Sequence, residues 1–273
     1  ISDISVDTVW TTGNIYTITG AIIVNTGVTL EIEPGVVVKF GTNSANKKPG
    51  QLVINGTLIA RGTVSNRIVF TAMNDDRFGL DADGNGSSAW ISHGSWAGLP
   101  SNSGSNGSVL DYILIAGAGR APEEASITVN GADVDLLNSE VQIGGTSGIL
   151  WKDNARGQIA NNVINLNLQS GILVKTGSYP DITDNTIVHN RKQAIYQEGN
   201  SFPTISNNIV YGNGINGIGV VGTIGTGQWY VNPNLPYVTL EDVIVAPSSK
   251  LTLPAGLVVK FQAKTSMIVR GAL

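Results

Sequence analysis

The chain has 273 residues, a formal charge of −4, a pI near 5.1 and charged side chains at only 13% of positions. That acidic balance excludes the basic stripe of a nucleic-acid binder, no apolar run approaches the roughly 18 residues of a bilayer span, and the lack of cysteine removes disulfides and thiolate metal sites. Thirty-four glycines among much Asn, Ser and Thr describe a turn-rich β protein with an apolar interior, not a disordered chain. The first residue is Ile1, with no methionine or signal-like segment, so a processed or excised product is expected.

Residues 1–72 read as opening strands. Thr29-Leu30-Glu31-Ile32 and Val36-Val37-Val38-Lys39-Phe40 flank a Pro34-Gly35 turn, and Gln51-Leu52-Val53-Ile54 and Ile68-Val69-Phe70-Thr71 follow.

Residues 73–96 form an acidic loop insertion. Asp81, Asp83 and Asn85 place three oxygen ligands on alternate residues, and Gly84 and Gly86 permit a tight turn, as in Ca²⁺ loops of the D-x-D-x-N-G type. No glutamate follows at the bidentate position, so Asp75 or Asp76 must supply the remaining carboxylate. The expected structural Ca²⁺ set is Asp76, Asp81, Asp83 and Asn85; the alternative is a solvated loop whose aspartates cap turns. Trp90 and Trp96 flank the loop and are expected to anchor it.

Regular coils occupy residues 108–225. Gly148-Ile149, Gly171-Ile172, Ala194-Ile195 and Gly217-Ile218 open segments 23 residues apart. Ile159, Ile182 and Ile205 share a column, as do Ile164, Ile187 and Val210. Asn162, Asn185 and Asn208 form another, and Asn167, Asn190 and Asn213 a fourth. Such a period marks units that must stack to bury a common core. Short alternating apolar runs without an i, i+3, i+4 pattern make the unit a coil of strands, with almost no helix in the chain. Stacking copies about 4.8 Å apart would let each Asn amide bond the Asn above and below and the turn backbone. Residues 125–147 fit the frame loosely, with Leu136 and Val141 in the Ile columns and Ser139 replacing an Asn.

Residues 226–273 begin a second, homologous module packed as a continuation of the one spanning 1–225. Tyr16, Gly35, Lys39 and Phe40 recur 221 positions on as Tyr237, Gly256, Lys260 and Phe261, and Gly56 and Leu58 recur 215 on as Gly271 and Leu273. The chain therefore reads as part of a longer tandem array with an exposed coil end.

Gly-Ile followed by Ile-x-x-Asn-x-Ile resembles the right-handed parallel β-helix of the pectin-lyase-like superfamily, and the first 50 or so residues resemble the opening module of large secreted bacterial β-helix proteins. The resemblance implies an all-β, single-stranded right-handed parallel β-helix with coils of about 23 residues and Asn ladders, and a secreted or cell-surface location. It leaves function open, because lyases, hydrolases, epimerases, tailspikes and adhesins share the fold. Of the polygalacturonase-like motifs only Ser92-His93-Gly94 has a counterpart here, outside the required order. Loops of the acidic type recur in the resembled family before a Trp-containing strand, here Trp96-Ala97-Gly98.

Catalysis finds no frame in the columns. Glycoside hydrolysis needs two carboxylates about 5 to 9.5 Å apart, and Asp153, Asp181, Asp184 and Glu198 have no acidic column partner. His93 and His189 have no evident Ser/Asp frame. Binding has more to use: with Ile149, Ile172 and Ile195 inward, alternation sends Leu150, Leu173 and Tyr196 outward beside Lys152 and Lys175. That row is the candidate carbohydrate-binding face unless a loop covers it; Trp151, in an inward column, is expected to be core. The expectation is a non-catalytic structural or adhesive module, with a polysaccharide-active or carbohydrate-binding protein as the alternative. Its expected partners are a polysaccharide or surface protein, neighbouring modules and end-to-end copies. The sequons at Asn55, Asn85 and Asn106 matter only in a glycosylating host.

Overall fold

A computed structural model describes residues 2–86 and 91–273; Trp90 lies outside them. Each coil is too thin to enclose a core alone, so burial comes from stacking. A coil contributes three short strands, for example Thr29–Ile32, Val37–Gly41 and Gln51–Ile54. Successive coils lay these into three sheets of eight, eight and eleven strands, and Gly227–Gln228 pairs Leu251–Thr252 in a further two-stranded sheet, all paired in parallel. No described residue is helical. The columns align as their period requires: Ile159 with Ile182 and Ile205, Ile164 with Ile187 and Val210, and Ile149 with Ile172 and Ile195. These isoleucines are buried along the axis, with Trp151 fully buried among them.

Every ladder Asn follows a residue in the left-handed region. Asn161, Asp184 and Asn207 have φ of 59°, 57° and 56° before Asn162, Asn185 and Asn208, and Leu166, His189 and Gly212 do the same before Asn167, Asn190 and Asn213. The bend takes backbone groups out of the sheet ladders, and the amides satisfy them. Asn185 Oδ1 accepts from Asn162 N and Nδ2 at 2.9 and 3.0 Å, while Asn185 Nδ2 donates to Ile159 O and Asn208 Oδ1 at 2.7 and 2.9 Å. Ser139 takes the first rung, its N–H donating to Asn162 Oδ1 and its hydroxyl accepting from Ile113 N. At the last rung Asn216 Oδ1 substitutes for a further coil, accepting from Asn213 N at 3.0 Å.

Strands at positions that recur in the sequence pair in the same register. Ile22, Ile23 and Val24 pair with Leu52, Val53 and Ile54; Val243, Ile244 and Val245 pair with Met267, Ile268 and Val269. A Cβ on Gly56 would overlap the carbonyls of Val28 and Asn25, and one on Gly271 those of Ser249 and Ala246. Both copies open on a device not read from the sequence. Trp10 stacks on Tyr16 at 4.6 Å and Trp229 on Tyr237 at 4.3 Å, and each tyrosine hydroxyl accepts the N–H of the residue after the tryptophan. Burial pushes the Tyr237 phenol up. The copies join through one sheet: Ile215–Ile224 pairs Gln193–Glu198 on one side and Tyr237–Val245 on the other. The other two sheets stop at Thr204–Ser206 and Ile209–Tyr211.

Candidate functional site

The acidic loop roofs the outer side of the strand Val37–Gly41. Lys39 points away from the core yet is fully buried, because the loop closes over it. Its Nζ donates to Leu80 O at 2.5 Å and lies 3.9 Å from Asp76 Oδ1. Thr71, next to Lys39 in the outer column, donates to Asp75 Oδ2 at 2.5 Å, and Arg77 grips the same carboxylate through Nε and Nη2 at 2.7 and 3.0 Å. Burial would raise Asp75, but the bonds from Arg77 and Thr71 outweigh it and hold the carboxyl below its usual range.

That network decides between the two adjacent aspartates. Asp75 is committed to Arg77, whereas the Asp76 carboxylate lies with those of Asp81 and Asp83, one oxygen from each falling within 4.8 Å of the others. Among the described residues this is the one convergence of three or more His, Asp or Glu side chains. Asp76 Oδ1 is buried without a hydrogen-bond donor. Asp81 also organises the turn, accepting from Gly84, Asn85 and Gly86 N–H groups at 2.7, 3.1 and 2.9 Å, which lower its pKa, Gly86 foremost. Asn85 Nδ2 donates to Asp83 Oδ2 at 2.8 Å. Carboxylate oxygens keep lone pairs beyond such turn bonds, so turn capping and cation binding are compatible here.

The outward row is in place: Leu150 pairs with Leu173, and Leu173 with Tyr196. Its exposure differs from expectation. Leu150 is fully buried and Leu173 8% exposed, both packed with Ala125 beneath the segment 117–125, and Tyr196 stays half-buried. Loop residue Glu124 accepts from Lys175 Nζ at 2.6 Å and lies 3.8 Å from Lys152 Nζ. The Lys175 bond lowers the Glu124 pKa. Lys175 Nζ is 5.8 Å from the Tyr196 ring centre, and burial raises the Tyr196 phenol. What remains open is a cleft of about 420 Å³ between Glu124, Leu173, Lys175, Tyr196, Gln169 and Lys192. Of these, Gln169 and Lys192 were missed, although they stand 23 positions apart and share a hydrogen bond. Glu124 was missed because its loop has no period.

A carboxylate with a depressed folded pKa contributes stability above its unfolded value, about 4.3, and loses it as pH falls through the folded one. Amides of residues 120, 121, 123 and 124 are therefore expected to lose protection, relative to their intrinsic rates, once Glu124 is protonated at acid pH, and Glu124→Gln to have lost it already at pH 7. Hydrogen exchange followed by mass spectrometry reads this; pH-independent protection would remove Glu124 as the latch.

Elsewhere the candidates have structural contacts. His93 Nε2 meets Leu166 O at 3.1 Å, and His189 packs edge-on against Tyr211 at 5.4 Å. Asp181 stacks between Gln158 and Thr204. Trp96 is fully buried on Phe40, with ring centres 3.9 Å apart.

Parallel coils, inward isoleucine columns and asparagine corners define a single-stranded parallel β-solenoid. The chain belongs to the right-handed β-helix family, whose pattern, the right handed beta helix region, matches residues 6–226. No curated protein matches the chain. Solved structures similar to it include two of the periplasmic alginate epimerase AlgG, one a point mutant at 12% identity and TM-score 0.34, the other at 13% and 0.24. Each aligns over 93% of this chain and 76% of the other. No helix among the described residues is long and apolar enough to cross a membrane.

Proposed function

We propose that the chain is a non-catalytic β-helix module of a secreted or cell-surface tandem-repeat protein, acting as a rigid spacer or adhesive stalk. The observation that carries this reading is the second copy, which repeats the strand register of the first and continues its stack. Stiffness follows from backbone ladders in three sheets reinforced by buried Asn rows at two corners. Incubation with neutral and uronate polysaccharides, following reducing ends and the absorbance of unsaturated uronates, tests it. No turnover is expected; turnover abolished by Lys175→Ala would make the chain an enzyme. The partners expected are neighbouring modules and end-to-end copies.

The cleft beside Tyr196 favours a second reading, carbohydrate binding. It retains Leu173, Lys175 and Tyr196 from the outward row, with Lys152 held to Glu124 at its edge and Leu150 beneath the loop. An aromatic face with ammonium flanks suits a sugar ring carrying a carboxylate.

The acidic loop is a structural Ca²⁺ site in this proposal, with Asp76, Asp81, Asp83 and Asn85 as ligands. It is supported by the convergence of the three carboxylates and by an Asp76 oxygen that accepts no hydrogen bond, although Lys39 Nζ stands 3.9 Å away. Calcium at a hundredfold excess over Kd is expected to add about 2.7 kcal/mol to stability. Thermal unfolding with chelator and then calcium add-back should show a reversible shift in Tm that Asp81→Ala with Asp83→Ala abolishes. Equal midpoints with and without chelator would leave the aspartates as turn caps.

A further inference from the structure

The segment that covers the outward row is tied firmly at its ends and lightly between them. Gly117 and Gly119 open it with φ of 73° and 74°, Arg120 N–H donates to Trp96 O at 3.0 Å, and Ser147 N–H donates to Glu124 O at 3.1 Å. Between these points the backbone bonds to itself, Glu123 N–H donating to Arg120 O at 3.1 Å, and side chains make the ties to the coils. Glu123 Oε1 accepts from Gln51 Nε2 at 3.1 Å, and Glu124 Oε1 accepts from Lys175 Nζ at 2.6 Å with Lys152 Nζ at 3.8 Å. The Glu124 side chain is 47% exposed, so its seat in the cleft opens to solvent. Lys175 lies over the Tyr196 ring, and Lys192, lining the same cleft, donates to the neutral Gln169. Glu198, beside Lys175 in the outward row, instead accepts from Thr176 N–H at 2.8 Å.

We propose that Glu124 occupies the seat of a ligand carboxylate, and that an acidic sugar chain enters the cleft by displacing it from Lys175 and lifting residues 121–124. This rests on the carbohydrate-binding reading and adds the regulation of that site. The group already held there shows the chemistry the seat accepts, a carboxylate facing an ammonium beside an aromatic ring. Exchange of one carboxylate for another keeps Lys175 paired, and a longer anionic chain adds Lys192. The closed segment lowers the apparent affinity by the fraction of time that it is shut. Removing Glu124 therefore tightens binding.

The test is calorimetric titration of the whole chain at low salt with a galacturonate hexasaccharide, maltohexaose serving as the neutral control. Glu124→Gln is expected to bind the acidic hexasaccharide at least threefold more tightly than the parent, Lys175→Ala at least tenfold more weakly, and maltohexaose should bind to none of them. Hydrogen exchange reads the displacement itself. Saturating the parent with the acidic hexasaccharide should reduce protection at the amides of residues 121, 123 and 124 towards the level in Glu124→Gln, whereas a ligand resting on a closed segment would raise it. Equal or weaker binding by Glu124→Gln, or added protection on ligation, overturns the proposal and leaves carbohydrate binding standing. Equally tight binding of maltohexaose also overturns it, since the seat would then not read a carboxylate. Binding by neither the parent nor Glu124→Gln removes the carbohydrate reading and the displaced carboxylate together.

Discussion

Asn185→Ala is expected to lower the unfolding free energy by about 3 to 4 kcal/mol. Asn185 is fully buried, and its amide serves two coils at once. Truncation leaves Asn162 N–H without an acceptor and Ile159 C=O without its side-chain donor, and each orphaned buried group costs about 1 to 3 kcal/mol. Asn208 Oδ1 loses less, because the backbone N–H of residue 185 still donates to it. Asn213→Ala, at the last rung, should cost about 1 to 2 kcal/mol, since Asn213 is 9% exposed and water can reach its partners. Urea unfolding at constant m-value measures both. Equal losses below about 1 kcal/mol would mean that the rows decorate the corners without holding them.

Trp96→Ala is expected to cost about 4 kcal/mol, within the usual range for deleting a buried aromatic ring. Besides the stack on Phe40, Trp96 Nε1 donates to Ala116 O at 2.8 Å. Trp96 also stands where the chain returns from the acidic loop, its neighbour Ala97 donating to Gly50 O at 2.9 Å. Trp96→Phe keeps a stacked ring and loses only the donor, so about 1 to 2 kcal/mol is expected. If the alanine variant unfolds within about 1 kcal/mol of the parent, the ring is replaceable and the loop is anchored through Lys39 and Thr71.

Period made the stack legible, since identical residues 23 positions apart must become neighbours when coils pair in register. The same arithmetic aligned Tyr237 onward with Tyr16 onward but passed over Trp229. Trp10 and Trp229 are 219 apart, because two extra residues separate the second tryptophan from its tyrosine. Alternation correctly sent Leu150 and Leu173 away from the core, yet direction is not exposure. The loop that buries them carries no repeat, so only its long-range contact through Glu124 reveals the cover. Likewise a lysine in an outward column reads as solvated, and Lys39 is dry because an insertion some 40 residues later closes over it. The acidic spacing marked Asp81, Asp83 and Asn85 as one turn. Whether Asp75 or Asp76 faced that turn depended on Arg77, whose side chain curls back onto the aspartate two residues before it.

The join between the copies has a mechanical consequence. Within the first copy three ladders tie each coil to the next, so a pull along the axis is shared among three faces. Across the join only one of the three ladders continues, Ile215–Ile224 against Tyr237–Val245, beside the shared apolar core. A string of such modules would thus be stiff along each unit and would bend or part first at its joints.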